Sequence, residues 1–255
     1  MLIDLTYPIH NSMFKYASDS EPKIDITKAE FETTKKGFIH NEGGFCLGTT
    51  PDKKYKSGYL NLNIRNHHGT HIDAPSHKIP NGKTIDQYLL EKFINGCILI
   101  DLTQKDLMKR KKREITKTDL ENSFPSNKQI GALIFYTGFC DEMSIREGRL
   151  SRDEKRDFEK TFPYFSKEAA EFIVSENPKL NIIGIDSFAV DPSGSNSEIH
   201  RIFFRKDILP LETLVNLKQL RDEVKRTPFK LVSAPLNYQG GDAAQVRAYA
   251  ISNDN

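Results

Sequence analysis

Tryptophan is absent from this chain of 255 residues, and cysteine is scarce: Cys46, Cys97 and Cys140 are odd in number, far apart and form no CxxC pair. That usage excludes a disulfide framework and fits three reduced thiols in a cytoplasmic protein. Also missing is any apolar run near the roughly 18 residues that a membrane span requires. Asp4 interrupts the stretch in which a signal peptide would place its apolar core. Neither export nor membrane insertion is therefore expected. No internal repeat and no Pro- or Ser-rich linker divides the chain. A formal net charge of +2 is too small to imply a nucleic-acid or membrane partner by itself. The basic run Lys109-Arg110-Lys111-Lys112-Arg113 has no interleaved aromatic residues and is balanced by acidic residues elsewhere, as expected of a solvated face.

Apolar residues make up 37% of the chain and charged residues 28%, enough for a sizeable core and against disorder. The length suits one α/β domain over 1–255 with loop insertions. Strand-like segments recur. Leu2-Ile3-Asp4-Leu5 opens the chain, and Tyr59 to Ile64 alternates apolar and polar side chains like a half-buried strand. Cys97 to Leu102 and Ala132 to Tyr136 are mostly continuous apolar runs, suited to strands covered on both faces. Leu180 to Ile185 and Val246 to Ile251 are further candidates. Between them lie helical signals. Thr118 to Glu121 has the form of a capping box. Ser166 is a good N-cap for a helix that must stop near Asn177-Pro178.

Four of the seven histidines fall within eleven residues, in His67-His68-Gly69-Thr70-His71-Ile72-Asp73-Ala74-Pro75-Ser76-His77. Imidazole nitrogen and carboxylate oxygen are the usual ligands of zinc and of harder first-row metals. Gly69 permits a sharp turn and Pro75 pushes Ala74 towards extended backbone, so a helix across the segment is not expected. If residues 71 to 77 are extended, His71, Asp73 and His77 project to one side, and the turn at Gly69 can bring His67 to the same centre. Repulsion disfavours charging such a cluster, whereas a divalent cation would hold neutral imidazoles together. His68, between two candidate ligands, is expected to face away.

The spacing HxGTHxDxPxH resembles the signature of the cyclase family, which includes bacterial kynurenine formamidases and isatin hydrolases. The likeness runs over nearly the whole chain. Ile3 to Ile9 resembles the family's opening strand, and Phe135-Tyr136-Thr137-Gly138-Phe139 its "TGW/F" turn. Ile183 to Pro192 resembles "GIDxxSVD", with Ala189 in place of Ser. Ala234-Pro235-Leu236, Gly240-Gly241-Asp242 and Val246-Arg247 resemble the closing "APL…GGDGxPVR", with Ala243 for Gly and Gln245 for Pro. The charged stretches 105–114 and 141–160 resemble the family's variable loops.

This resemblance implies a mixed β-sheet or barrel-like core flanked by helices, in the swivelling β/β/α, cyclase-like manner. It implies a metal site completed by His200 and Glu212, which stand twelve residues apart. His67, His71 and Asp73 would hold a first ion, and Asp73 with Glu212 would bridge to a second served by His200. His77 is then the base or a ligand of that second ion. One or two Zn2+ or Mn2+ ions are expected per subunit, and the subunits are expected to form a homodimer or homotetramer. Phe14, Tyr16, Phe45, Thr137, Gly138 and Phe139 are candidate substrate-binding residues. The implied activity is hydrolysis of an aryl formamide such as N-formylkynurenine. Opening of a cyclic amide or lactone, a cyclase-type reaction, and metal binding without turnover are the alternatives.

Overall fold

The computed structural model describes residues 1–15, 20–27, 59–125 and 130–252; Tyr16, Phe45 and Cys46 lie outside the described residues. In chain order the strands are β1 (Leu2–Asp4), β2 (Lys23–Thr27), β3 (Tyr59–Asn63), β4 (His71–Asp73), β5 (Ile94–Asp101), β6 (Glu114–Ile115), β7 (Ala132–Tyr136), β8 (Tyr164–Phe165), β9 (Ile182–Ile185), β10 (Leu209–Glu212), β11 (Phe229–Val232), β12 (Ala243–Gln245) and β13 (Tyr249–Ile251). The helices are α1 (Lys117–Glu121), α2 (Phe139–Arg146), α3 (Arg152–Phe158), α4 (Lys167–Glu176), α5 (Glu198–Phe204) and α6 (Leu217–Val224).

Nine strands form one mixed sheet in the order β1-β13-β11-β5-β7-β9-β10-β4-β12. Pairing is parallel from β5 through β7 and β9 to β10, and antiparallel elsewhere. The order itself shows that the sheet curls. Strand β13 is second in it and β12 last, seven inter-strand steps apart, roughly 34 Å if the sheet were flat. Only residues 246–248 separate the two strands in the chain, and four Cα steps reach at most about 14 Å. The two edges must therefore approach each other, which makes the sheet a half-barrel. Backbone bonds stitch the gap. Thr6 bridges Leu214, Val215 N–H donates to Leu5 O at 3.1 Å, and Val246 N–H donates to Thr70 O at 3.1 Å.

The continuous apolar runs are explained by what lies on either side. In β7, Ala132, Ile134 and Tyr136 face one cluster, shared with Ile72, Leu211 and Leu231. Leu133 and Phe135 face a second cluster, under Leu120 of α1, Ala169 and Ile173 of α4 and Phe203 of α5. Phe135 meets Phe165 edge-on with centroids 4.9 Å apart. Truncating a buried Phe to Ala costs about 3–5 kcal/mol.

Three expectations are corrected. The capping box that starts α1 is formed by Thr116 and Asp119, two residues before the predicted pair, because Asp119 can also pair with Arg110 through two oxygens. Among the described residues strand β3 pairs only with β2, and Leu60 and Leu62 are exposed, so it is not half-buried. Residues 141–160 are largely helical, since Ser151 and Glu154 form a capping box for α3. No helix among the described residues is long and apolar enough to cross a membrane.

Candidate metal centre

The site assembles where the curl brings β4, β10 and the N-terminus of α5 together. Strand β4 carries His71 and Asp73, and its antiparallel partner β10 sets Glu212 opposite His71. Gly69, at φ +73°, turns the chain so that His67 returns to the same centre. Only residues 71–73 are a strand; Pro75–His77 is a 3₁₀ turn with proline at its first position. That turn, not an extended run, folds His77 back until its Nε2 lies 3.8 Å from Asp73 Oδ2. His200 enters from α5. His68 is fully buried, and its Nδ1 accepts from the Arg65 N–H.

Two buried carboxylates stand among four imidazoles. Asp73 Oδ1 lies 2.9 Å from His67 Nδ1 and 3.3 Å from His71 Nε2, while Oδ2 lies 3.0 Å from His200 Nε2. Glu212 divides in the same way, with Oε2 3.4 Å from His71 Nε2 and Oε1 3.4 Å from His200 Nε2. Each carboxylate thus offers one oxygen to a pole defined by His71 and the other to a pole defined by His200.

The outer ring nitrogens have acceptors of their own. His71 Nδ1 donates to Gly69 O at 2.9 Å, and His200 Nδ1 donates to Asp191. His77 Nδ1 and His67 Nε2 both face Asp242 Oδ2, at 2.9 and 3.2 Å. An imidazole that gives its outer N–H to an oxygen presents a lone pair inward. Inward-facing lone pairs therefore meet carboxylate oxygens, an arrangement that only a cation makes favourable. His71 Nε2 and Asp73 Oδ1 are correspondingly buried without a hydrogen bond of normal geometry. With protons as the only cations, the imidazoles hold them tightly. Burial lowers the pKa of His71, but the Asp73 charge and the Asp73 and Glu212 oxygens outweigh it and push it up to about 10. His67 likewise rises to about 9 against burial, through Asp73 and Asp242, and His200 is raised well above its ordinary value. Burial raises Asp73, and the surrounding histidine charges win and hold it well below the carboxylate range. Imidazole nitrogens and carboxylate oxygens with this demand for positive charge fit a divalent metal ion.

The centre opens into a cavity of about 390 Å3, whose described walls include Arg65, Lys78, Phe188 and Ser195. His67, His71, Asp73, His77, His200 and Glu212 all line it. The other expected residues are placed elsewhere. Thr137 and Gly138 turn their N–H groups to the buried carboxylate of Asp186, at 3.1 Å each, so those donors are engaged away from the cavity. Phe139 is fully buried between Phe158 and Phe188, and Phe14 packs on Phe158, so both are core residues. Tyr16 and Phe45 lie outside the described residues. Two carboxylates escaped the reading of the sequence, Asp191 and Asp242. Asp191 accepts from the Ile199 and His200 N–H groups that start α5 as well as from the His200 ring. Both lie in segments already noted for their family resemblance, which was the signal available.

The centre is a histidine–carboxylate cluster that could hold a cation, and the chain's relatives indicate a hydrolase acting on amide C–N bonds. The chain belongs to the cyclase family: the family model described as "Putative cyclase" matches residues 3–192. A kynurenine formamidase of Bacillus cereus is 26% identical over 247 residues, covering 96% of this chain and 95% of that protein. Among solved structures, isatin hydrolase A of Labrenzia aggregata superposes with a TM-score of 0.69 at 19% identity, covering 100% of this chain and 94% of that one. A novel cyclase superposes at 0.73 with 16% identity, covering 99% of this chain and 88% of that one.

Proposed function

We propose that the protein hydrolyses the C–N bond of an aryl formamide such as N-formylkynurenine, with water activated at a divalent-metal centre. The observation that carries this reading is the set of imidazole lone pairs aimed at two buried carboxylates, beside a cavity of substrate size. His67, His71 and one oxygen each of Asp73 and Glu212 would hold one cation; His200 with the other two oxygens would hold a second. Bound there, Zn2+ or Mn2+ lowers the pKa of water towards neutrality and polarises a carbonyl.

The remaining chemistry falls to the chain. His77 reaches the centre from the cavity side, with its Nδ1 committed to Asp242, so Nε2 is the nitrogen free to take a proton. It accepts one from the attacking water and returns it to the departing aryl amine. Phe188 offers an apolar wall for an aryl ring. The full-length match to a kynurenine formamidase supports a formamide substrate.

The test is a panel of N-formylkynurenine, simpler aryl formamides and isatin, assayed after chelation and after reloading with zinc or manganese. Formamide hydrolysis restored by metal is expected. Hydrolysis that persists after complete metal removal would overturn the reading, and preference for isatin would move the assignment to cyclic amides.

A further inference from the structure

We propose that Asp242 is a positioning residue, whose single oxygen Oδ2 holds the base His77 and the cation ligand His67 together, with Asn66 as its brace. This inference rests on the hydrolase reading for what His77 does, and on geometry alone for how His77 is held.

Asp242 Oδ2 lies 2.9 Å from His77 Nδ1 and 3.2 Å from His67 Nε2, and the two rings sit 4.2 Å apart at 39°. The other oxygen, Oδ1, accepts from Asn66 Nδ2 at 2.6 Å, and the same nitrogen donates to Ala243 O at 3.1 Å. The main chain of Asp242 is equally anchored. Its carbonyl accepts from Ala74 N–H at 2.8 Å, and the next residue, Ala243, pairs in register with Asp73. The carboxylate is therefore placed by the strand pairing that also places the cation ligands. Asn66 directly precedes His67, so brace and ligand move as one.

This fixes a proton. With Nδ1–H given to Asp242, His77 presents Nε2 as a lone pair towards the centre, 3.8 Å from Asp73 Oδ2. Without that acceptor, the ring is free to turn or to carry its proton on Nε2, and either change removes the base. Because Oδ2 is shared, the orientation of the base is tied to that of a ligand: His67 cannot swing without disturbing the oxygen that holds His77. Supporting partners of this type are worth about 10–100-fold in metal affinity or activity.

The test uses the zinc-loaded protein, Asp242→Asn, Asp242→Ala, His77→Ala and the Asp242→Asn/His77→Ala pair. The expected result is a 10–100-fold lower kcat per bound zinc in Asp242→Asn, with KM unchanged and no further loss when His77 is already alanine. Asp242→Ala is expected to fall at least as far. Nitrogen NMR of labelled imidazoles gives a readout that needs no substrate. His77 should carry its proton on Nδ1, and either Asp242 variant should shift it towards Nε2. An unchanged His77 spectrum overturns the proposal whether or not turnover has been found. So does a loss of rate that is additive with His77→Ala or fully accounted for by lost zinc. Absence of turnover in the unsubstituted protein would count against the proposed function, with the NMR result still deciding the role of Asp242.

Discussion

Asp73 and Asp186 are both buried carboxylates, and they are treated in opposite ways. Asp186 is satisfied by the chain itself: Thr137 gives it both N–H and Oγ1–H, and Gly138 and Cys140 give it N–H groups. Burial raises its pKa, and those donors pull against the rise. Asp73 is surrounded by ring nitrogens whose outer N–H groups are already spent, and one of its oxygens has no hydrogen bond of normal geometry. An ionised group taken from water must be compensated by donors or by a cation. At Asp186 the compensation is internal, and the residue pins the β7–α2 turn. At Asp73 it must come from outside the chain, and that unmet demand marks the functional site.

The largest effect that would break this contrast is expected from Asp73→Asn, which removes the charge that stands between His71 and His200. Activity should fall to background and zinc binding should be lost, as read by turnover and metal analysis. Full retention of metal would show that the two carboxylates are not different in kind. Next in size is His77→Ala, expected to cut kcat by about 10²–10⁴-fold while leaving the metal in place.

A smaller effect, on stability and not on turnover per bound metal, is expected from Asp186→Asn. An amide there turns a donor towards N–H groups that need an acceptor, at a cost of about 3 kcal/mol. The thermal midpoint should drop while zinc stoichiometry stays the same. The mildest effect separates the protonated and metal-loaded forms of the site. His67 and His71 have raised values in the metal-free fold, about 9 and about 10 against the ordinary 6.5. The stability they contribute is fully present below 6.5 and lost as pH climbs through about 9 and about 10. Metal-free protein should therefore unfold at lower denaturant above pH 9 than at neutral pH. Zinc-loaded protein, whose ligands have released those protons, should show a shallower fall.

Much of the centre was legible in residues 67–77, because four of its chemical groups are close in sequence and Gly69 and Pro75 restrict the backbone between them. His200 and Glu212 were reachable only through family spacing, since neither has a local signal. Asp191 and Asp242 went unassigned for the same reason: each acts by accepting a hydrogen bond from a ring, and a ring's outer partner leaves no periodic trace. Thr137 and Gly138 were misplaced because a turn rich in N–H donors looks alike whether it serves a substrate or a buried carboxylate. The interior strands β5, β7 and β9 were visible as apolar runs. The short strands β4, β10 and β12 were not, because three or four residues carry too little pattern to separate strand from turn.

By itself the sequence determined the side-chain types of the candidate centre, the bend at Gly69, the doubly covered strands and the cap at Ser166, all properties of neighbouring residues whose chemistry acts over a few ångströms of chain. Only the tertiary structure decided the curl that closes the sheet and lays Glu212 opposite His71. It alone also brought Asp242 onto both His67 and His77. Those contacts join residues more than a hundred positions apart, and nothing in local propensity encodes which distant carboxylate a given ring will meet.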